Sequence, residues 1–454
     1  MIKPTLVHNT LLPLTEFIER RATFFSLMPE NSIAIFSAAK EVTRSNDTEY
    51  AFCQDKNFYY LTGYNEPDAI LVLIKSDEEV LNCQHSVLFN REKDALQEIW
   101  HGRRVGQVLA IEQYGVDQCY SLEEIDQYLP DYLADKTQLL FCQGRSETFD
   151  AQVYAWLAMV KAQSRLGIKA PTQLVDCGTI IEEMRLIKSA GELEIMRRVN
   201  VISGNAHKRA MQQSAIGKFE YQLEAEILHE FSSNGARYPA YGTIVAGGDN
   251  GNILHYTNND DVLKDNELIL IDAGGELSGY AADITRTFPV NGKFTKEQKE
   301  IYQLVLDAQN LAIDAIKPKT TFAELNVLVN NFLTTGLHRM SILLGDLTTL
   351  LEEKACKKYF IHGLGHWLGL DVHDVGDYQS NDKREQCRPF EQGMVMTIEP
   401  GIYIPLDDYS VAEKWRGIAV RIEDNIAVTD QGHENLTVNA PKSLVEIEKI
   451  MSAE

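Results

Sequence analysis

The segment that most restricts the fold of this chain is LILIDAGGELSGYAADITRTFPV, residues 268–290. Its apolar runs and its glycines predict two strands joined by a turn centred near Leu277 and Ser278. Pairing about that centre places Asp272 directly opposite Asp283, with Cβ atoms about 4.5–5.5 Å apart. Two carboxylates that face each other in an apolar hairpin are destabilising unless they share a proton or bind a metal. The alternative is that Asp272 caps the turn and Asp283 is solvated.

A second region also places acidic side chains in apolar strands. Residues 394–398 are apolar and lead into Glu399. Farther along, GIAVRIEDNIAV alternates apolar residues with polar ones, among them Arg421 and Glu423. One strand face is therefore predicted to be core and the other polar. A polar strand face is usually solvated, but Glu399 interrupts an apolar strand, which argues against a surface position.

Histidines concentrate in FIHGLGHWLGLDVHDVG, residues 360–376, which contains His362, His366 and His373. The glycines disfavour a helix, and the segment contains no H-E-x-x-H motif. A lone histidine is more often structural than a ligand, but three beside two carboxylate pairs favour a metal site. Two divalent cations would balance four carboxylates, and such oxygen-rich ligation with one imidazole suits Mn²⁺, Co²⁺, Fe²⁺ or Zn²⁺ better than Ca²⁺.

The first part of the chain alternates predicted strands with helices, which is typical of an α/β domain. The strands are predicted at residues 32–36, 69–74 and 139–142, and the helices at residues 91–100 and 148–165. The apolar run AILVLI indicates a strand buried on both faces.

The later part repeats a helix-then-sheet pattern. Helices are predicted at residues 180–212, 221–231, 295–316 and 322–344. Glycine-rich strands are predicted within residues 239–293 and 358–429. The pattern indicates a duplicated layout, without a literal sequence repeat.

Charge and cysteine content restrict the partners and the compartment. The 454 residues include 66 acidic and 43 basic side chains, for a formal net charge of −23. This charge argues against nucleic acid or an anionic membrane as the main partner. The seven cysteines are scattered without a C-x-x-C pair, which favours reduced thiols. No targeting signal or membrane span is recognised, so a cytoplasmic location is expected.

The motifs together resemble the aminopeptidase P branch of the pita-bread metallopeptidases. The resemblance rests on HYTNND, IDAGGELSGYAADITRTFPVNGKF, HGLGHWLGLDVHDVG, TIEPGIYI and GIAVRIEDN, and upstream on FYYLTGYNEPDAILVL and EIWHGRRVGQ. It implies a two-domain α/β (α+β) protein. A creatinase-like α/β domain would occupy residues 1–177, and a pita-bread domain of duplicated helix–antiparallel sheet units would occupy residues 178–454.

The resemblance also implies roles for particular residues. The implied metal ligands are Asp272, Asp283, His366, Glu399 and Glu423, of which Asp283 and Glu423 would bridge two ions. Glu399 matches the general base, and His255 and His373 match histidines that orient substrate and stabilise the tetrahedral intermediate. The substrate-binding matches are His362, Arg421, Tyr241, Tyr403 and Trp100. Trp100 would help to complete a substrate site, either its own or one across a subunit interface. The alternative for Trp100 is a core position in the N-terminal domain.

The implied function is hydrolysis that releases the N-terminal residue from peptides with proline in the second position. The resemblance implies a hydroxide bridging two Mn²⁺ ions, with Co²⁺ or Zn²⁺ as possible replacements, and a homo-oligomer, either a dimer or a tetramer. One alternative is a prolidase that cleaves Xaa-Pro dipeptides at the same site. Another is a non-catalytic pita-bread scaffold, which the intact ligand set disfavours.

Overall fold

A computed structural model describes residues 10–77, 83–380 and 386–452. The chain divides into two compact units, Met1–Met184 and Arg185–Glu454. The domain boundary after residue 177 stays a prediction. Within the described ranges, no helix is both long enough and apolar enough to cross a membrane.

The first unit alternates strands with helices. Its helices are α1 (Leu14–Leu27), α2 (Lys56–Thr62), α3 (Ala95–His101), α4 (Gly106–Tyr114), α5 (Ile125–Leu133) and α6 (Glu147–Lys161). Its strands are β1 (Ser32–Ser37), β2 (Thr43–Ser45), β3 (Thr48–Glu49), β4 (Ile70–Lys75), β5 (Gln84–Asn90), β6 (Gln118–Ser121), β7 (Gln138–Phe141) and β8 (Gln173–Asp176).

Six of these strands form one mixed sheet in the order β6-β5-β4-β1-β7-β8. Strand β1 is antiparallel to β4 and parallel to β7. Strand β4 is buried along its whole length, as its continuous apolar run predicts. Leu129 of α5 and Trp156 of α6 pack against the sheet, so the predicted strands β1, β4 and β7 are confirmed as its core.

Two helices of this unit are shorter than predicted. Helix α3 begins at Ala95 rather than at residue 91, because Asp94 accepts hydrogen bonds from the backbone N–H groups of Leu96 and Gln97. This is N-capping by an aspartate. Helix α6 ends at Lys161, and a separate 3₁₀ turn, Ser164–Leu166, follows it.

The second unit repeats a helical layer followed by antiparallel strands. Helix α7 (Gly178–Leu186) spans the boundary between the two units. The other helices of the second unit are α8 (Ala190–Gln213), α9 (Glu220–Ser233), α10 (Lys296–Asp314), α11 (Phe322–Arg339), α12 (Leu347–Glu352) and α13 (Leu444–Met451). Its strands are β9 (Tyr238–Pro239), β10 (Ile244–Gly247), β11 (Leu268–Asp272), β12 (Gly275–Leu277), β13 (Tyr280–Ala281), β14 (Thr285–Pro289), β15 (Val395–Ile398), β16 (Gly401–Ile404), β17 (Ile418–Arg421), β18 (Asp424–Val428) and β19 (His433–Asn435).

The duplicated layout is confirmed at the level of packing. Helix α8 packs against α9 ahead of the sheet β10-β11-β14, and α10 packs against α11 ahead of the sheet β15-β18-β19. The fold is therefore a two-domain α/β arrangement whose second unit consists of two helix–sheet halves.

Two of the predicted helices in this unit are wrong in extent. The one predicted over residues 180–212 is two helices, because Ser189 and Glu192 form a capping box that starts α8 anew. The one predicted over residues 322–344 ends at Arg339, and Ser341 adopts a left-handed φ of 58°.

The hairpin register also differs from the prediction. Leu277 pairs with Tyr280, and the two residues between them, Ser278 and Gly279, have φ values of 49° and 85°. Positive φ at both central residues is the signature of a type I′ hairpin turn. The register is therefore shifted by two residues, and Asp272 pairs with Thr285. The predicted direct opposition of Asp272 and Asp283 is wrong.

Candidate metal centre and active site

The two aspartates of the hairpin still meet, although not as direct partners. The strand ladder is interrupted after Asp272 and again before Thr285, and Asp283 lies in the second interruption. The Tyr241 hydroxyl lies 2.5 Å from Asp272 Oδ1 and 2.6 Å from Asp283 Oδ1. Since a phenol has one proton, it cannot donate fully to two ionised carboxylates at once. The contact nevertheless holds both carboxylates at one point.

The glycine at position 274 permits this interruption. A Cβ atom there would lie 1.7 Å from the carbonyl oxygen of Ala282. Only glycine allows so close an approach of two backbone segments. The glycine therefore lets the hairpin bring Asp283 next to Asp272.

The second half of the unit repeats this arrangement with two glutamates. Glu399 lies between β15 and β16, and Glu423 lies between β17 and β18, where the paired segments are interrupted together. The Thr285 hydroxyl donates to Glu423 at 2.7 Å, which joins the two halves. The polar strand face predicted around Arg421 and Glu423 is buried rather than solvated.

His366 is fixed by a backbone contact that requires glycine before it. A Cβ atom at Gly365 would lie 1.9 Å from the carbonyl oxygen of Thr397. The His366 backbone N–H donates to Thr397 Oγ1 at 3.1 Å, and Thr397 Oγ1 donates to Glu399 at 3.2 Å. The loop and the strand are thereby held in contact.

The tautomer of His366 follows from its partner. Nδ1 lies 2.9 Å from the carbonyl oxygen of Trp367, which can only accept, so Nδ1 carries the proton. In the neutral ring this leaves the Nε2 lone pair directed at the carboxylates, 3.4 Å from Asp283 and 3.6 Å from Glu399. A hydrogen bond from the ring nitrogen that does not bind the metal orients histidine ligands in this way.

The five predicted ligands thus converge on one cleft of about 390 Å³. Ligand atoms of Asp283, His366 and Glu423 lie within 4.8 Å of one another. Besides the five acidic and imidazole side chains, the cleft is lined by Leu254, His255, His362, Gly363, Gly365, His373, Tyr378 and Arg421.

The electrostatics of the cluster favour a bound cation. Burial raises the pKa of Glu399 to about 7, and burial together with neighbouring carboxylates also raises the pKa of Asp283 and of Glu423. Burial lowers the pKa of His366, but its hydrogen bond and charge interaction with Asp283 outweigh this effect and raise it to about 9. Divalent cations would take the place of the protons that such a cluster otherwise binds. The donor set therefore fits divalent metal ions.

A chain of hydrogen bonds joins two residues of the cleft wall, His362 and Arg421, through the buried Tyr403. His362 Nδ1 donates to the Gly363 carbonyl at 2.7 Å, so Nε2 accepts from the Tyr403 hydroxyl at 2.8 Å. Arg421 in turn donates to the Tyr403 hydroxyl at 3.0 Å and to Asp272 at 2.7 Å. Burial and the charge of Arg421 lower the pKa of His362 to about 4, so this histidine is neutral near pH 7.

His255 and His373 line the mouth of the cleft and are exposed. The rings of His366 and His373 have centroids 4.3 Å apart in an edge-on arrangement. Burial and the charges of His366 and His255 lower the pKa of His373, which favours its neutral form.

Trp100 lies on α3 in the first unit and is 75% exposed. The core position weighed for it is therefore wrong. Its substrate-binding role stays a prediction.

Three residues that support the site were not predicted as site residues. Thr285 and Thr397 donate to Glu423 and Glu399. The Asn425 side chain accepts from the backbone N–H of Asp283 at 2.9 Å and donates to the carbonyl of the same residue. Each of the three lies two positions along the chain from a proposed ligand: Asp283, Glu399 or Glu423. That proximity is the only feature of the sequence that points to them.

Comparisons with known proteins show the family of this chain. The model of metallopeptidase family M24 matches residues 194–430, and that of the aminopeptidase P N-terminal domain matches residues 17–141. The chain is 47% identical over 438 residues to the Xaa-Pro aminopeptidase of Escherichia coli, covering 96% of this chain and 98% of the relative. It is 38% identical to human Xaa-Pro aminopeptidase 3, covering 90% and 78% of the two chains.

Solved structures show the same fold. Zinc-substituted Escherichia coli aminopeptidase P with product superposes with a TM-score of 0.94 at 46% identity, covering 97% of this chain and 98% of that one. Proline aminopeptidase P II from Yersinia pestis has a TM-score of 0.94 at 47% identity, covering 97% and 100%. From its motifs, its fold and its relatives, the chain belongs to metallopeptidase family M24, the pita-bread metallopeptidases, in the aminopeptidase P branch.

Proposed function

We propose that this protein is a metal-dependent aminopeptidase that releases the N-terminal residue from peptides with proline in the second position. The observation that carries the proposal is the convergence of four carboxylates and His366 on one cleft. The relatives support it, since the similar proteins from Escherichia coli and Haemophilus influenzae are both Xaa-Pro aminopeptidases. A structure of the Escherichia coli enzyme also contains substrate.

The residues that would hold two divalent cations are Asp272, Asp283, His366, Glu399 and Glu423. An oxygen-rich set with one imidazole suits Mn²⁺, and Co²⁺ or Zn²⁺ can occupy similar sites. When bound, the cations supply Lewis acidity toward the scissile carbonyl and lower the pKa of water.

Glu399 is the proposed general base and acid. Without metal ions, its pKa is about 7. A carboxyl group with a pKa near neutral pH can both take up and release a proton. Its carboxylate accepts a proton from the attacking water and returns it to the imino nitrogen of proline. The Thr397 hydroxyl holds the carboxylate in place.

The exposed histidines at the cleft mouth are the proposed substrate-orienting groups. His255 and His373 offer N–H donors toward the carbonyl oxygen that becomes an oxyanion. The preference of His373 for its neutral form keeps one ring nitrogen as a donor and the other as an acceptor.

The wall formed by His362 and Arg421, which the buried Tyr403 joins, is the proposed proline pocket. Each hydrogen bond along this wall fixes the next side chain, so the pocket is preorganised. An X–Pro amide is tertiary and has no N–H to bind, so a rigid pocket that fits the ring must supply the specificity. Tyr241 acts on the metal side of the cleft, because its hydroxyl contacts two proposed ligands.

Location and assembly complete the proposal. All seven cysteines are free thiols, which is expected in a reducing compartment and supports a cytoplasmic location. We propose a homo-oligomer, a dimer or tetramer, in which Trp100 completes the substrate site of a neighbouring subunit.

The test is one assay with two substrates. Chelator-treated protein is incubated with Mn²⁺, Co²⁺, Zn²⁺ or no metal, and with an Xaa-Pro-Yaa tripeptide or an Xaa-Pro dipeptide. Metal-dependent release of the first residue from the tripeptide is the expected result. Cleavage of the dipeptide alone would show a prolidase instead, and no cleavage with any metal would contradict the proposal.

The general base is tested by Glu399→Gln, with Glu391→Gln as control because Glu391 is a surface residue. Loss of general-base function typically lowers kcat about 10²–10⁴-fold. Full activity of Glu399→Gln would remove Glu399 from the mechanism.

A further inference from the structure

Two cysteines of the first unit face each other at the ends of neighbouring parallel strands. Phe141 of β7 pairs with Asp176 of β8, and the residues that follow them are Cys142 and Cys177. The backbone N–H of Cys177 donates to the Phe141 carbonyl at 3.3 Å, so the pairing continues to this point. Neighbouring strands lie about 4.7–4.9 Å apart, within the Cα separation that a disulfide spans.

Their sulfur atoms lie 3.9 Å apart, with both thiols free. This contact is longer than a covalent bond but needs only side-chain rotation to close, because the backbone spacing already suits a disulfide. The two residues are separated by 35 positions, so only the sheet brings them together.

The two sulfurs have different environments. Cys177 is fully buried, whereas Cys142 lines a cleft of about 790 Å³ that lies beyond the carboxyl ends of β1 and β7. The Asn57 side-chain amide lies 3.7 Å from the Cys142 sulfur, and Arg145 lines the same cleft. Small oxidants can therefore reach Cys142 but not Cys177.

The charge distribution also distinguishes the pair. The contact with the Cys177 thiol, in which either sulfur can donate, lowers the pKa of Cys142, as do the charge of Arg145 and the Asn57 amide. Burial and the charge of Asp55 oppose this effect. The same hydrogen bond and burial raise the pKa of Cys177. The Asn57 amide and Arg145 therefore favour a thiolate on Cys142, the sulfur that faces the cleft, and the thiolate is the reactive form.

We propose that Cys142 and Cys177 form a reversible redox pair, in which a peroxide oxidises Cys142 and Cys177 resolves the product to a disulfide. Both cysteines belong to the first unit and the proposed metal ligands to the second, and the proposal does not depend on the proposed peptidase activity.

The chemistry needs one peroxide, here hydrogen peroxide, as the two-electron oxidant. The Cys142 thiolate attacks one peroxide oxygen. The S–O bond forms, the O–O bond breaks, and the released hydroxide takes a proton and leaves as water. The Cys177 sulfur then attacks the resulting sulfenic acid. The S–S bond forms, the S–O bond breaks, and the departing hydroxide leaves as water with the thiol proton. In sum, two thiols and one peroxide give one disulfide and two waters.

The chain contains its own controls for selectivity. Cys53 lines the same cleft and is exposed, but the structure shows no contact between it and another cysteine within the described residues. Burial raises the pKa of Cys119 to about 12, so this thiol is expected to be unreactive. Cys53→Ser and Cys119→Ser are therefore matched control variants.

The experiment treats the intact purified protein with an equimolar amount of hydrogen peroxide, blocks free thiols, and maps peptides by mass spectrometry without reduction. We expect the treated wild-type chain to carry two fewer blocked thiols than the untreated chain and to contain a Cys142–Cys177 cross-linked peptide that dithiothreitol abolishes. Cys53→Ser and Cys119→Ser should give the same peptide.

A second measurement separates the two steps. In Cys177→Ser the resolving thiol is absent, so a dimedone adduct should accumulate at Cys142, and Cys142→Ser should give neither adduct nor cross-link. Two results would overturn the proposal. One is a wild-type chain in which both thiols remain free after treatment. The other is a chain in which Cys53 is oxidised while Cys142 is not. Neither result requires a variant to fold.

Discussion

At the scale of single residues, the site depends on side chains that hold the proposed metal ligands rather than on the ligands alone. Tyr241 contacts two aspartates, Thr285 and Thr397 each hold a glutamate, and the Trp367 carbonyl sets the tautomer of His366. Outer-shell partners of this kind tune metal affinity because they fix the orientation and charge of the ligands.

We expect Tyr241→Phe to fold normally and to bind Mn²⁺ about 10–100-fold more weakly, since the hydroxyl that aligns Asp272 and Asp283 is lost. Isothermal titration of the chelator-treated protein with Mn²⁺ measures this change. Tyr238→Phe is the control, because Tyr238 is 43% exposed. Unchanged Mn²⁺ affinity in Tyr241→Phe would show that the hydroxyl is dispensable.

At the scale of elements, the site is built where strand ladders are interrupted. Both hairpins stop pairing for a few residues, and each interruption carries acidic side chains. Backbone segments approach so closely at these points that glycine is required, as at Gly274 and Gly365. The geometry of the centre is thus determined by loops and turns as much as by strands.

We expect Gly365→Ala to abolish high-affinity metal binding, because its Cβ would overlap the Thr397 carbonyl and displace His366. Gly363→Ala is a matched control in the same loop, since a Cβ there meets no atom closer than 4.0 Å. Mn²⁺ titration and circular dichroism of both variants check this. Equal metal affinity in the two variants would contradict the role given to the close contact.

A buried ion cluster connects the end of α7 to the loop that carries the site histidines. Asp374 accepts from Arg185 at 2.6 Å and from Lys188 at 3.0 Å, and all three side chains are almost fully buried. Burial raises the pKa of Asp374, but the charges of Lys188 and Arg185 outweigh this effect and lower it. Asp371 also contacts Arg185, but its side chain is 36% exposed.

We expect Asp374→Asn to lower the free energy of unfolding near pH 7 by about 3–5 kcal/mol, because it leaves buried cations without this counter-charge. Because the pKa is depressed in the folded state, the stabilisation is present above the unfolded-state value of about 3.9 and is lost as the pH falls below it. The difference between wild type and variant should therefore shrink below about pH 4.

Urea unfolding of both proteins between neutral and acidic pH measures this difference. The matched variant Asp371→Asn should cost only about 0–1 kcal/mol, since its carboxylate is partly solvated. An equal loss of unfolding free energy in Asp374→Asn and Asp371→Asn would show that burial of the carboxylate does not determine how much its ion pair stabilises the fold.

At the scale of the whole molecule, the residues proposed for catalysis lie in the second unit, whereas Trp100 lies in the first. A tryptophan that is 75% exposed on a short helix contributes little to the core. Large exposed aromatic side chains are enriched at interfaces, which supports the proposed contact with a neighbouring subunit.

We expect Trp100→Ala to lower kcat/KM for the tripeptide about tenfold, a change of about 1.4 kcal/mol in transition-state binding. Leu166→Ala, at a position 78% exposed in the same unit, is the control. Mixing Trp100→Ala with Glu399→Gln subunits should restore activity if Trp100 acts on a partner's site, because one site in the mixed oligomer then has both residues. No recovery on mixing, with assembly shown by sedimentation, would contradict a role across subunits.

The sequence by itself determined the family and the identity of the chemistry-bearing residues. The acidic residues can be recognised from a short segment of sequence, because a charged side chain in an apolar strand requires a partner. The three site histidines can be recognised because they lie close together in one glycine-rich segment. The helix predicted from residue 295 likewise begins there, because Thr295 and Gln298, three residues apart, form a capping box. Local interactions of this kind depend on only a few neighbouring positions.

Only the tertiary structure decided how those residues meet. The type I′ turn at Ser278 and Gly279 shifted the register by two residues, so Asp272 and Asp283 meet through Tyr241 rather than as a cross-strand pair. Asn425, and the contact between Cys142 and Cys177, likewise depend on positions far apart in the chain. Such contacts follow from the geometry of the turns and the order of the strands in each sheet. Both depend on packing of the whole core, so they cannot be predicted from a short segment of sequence.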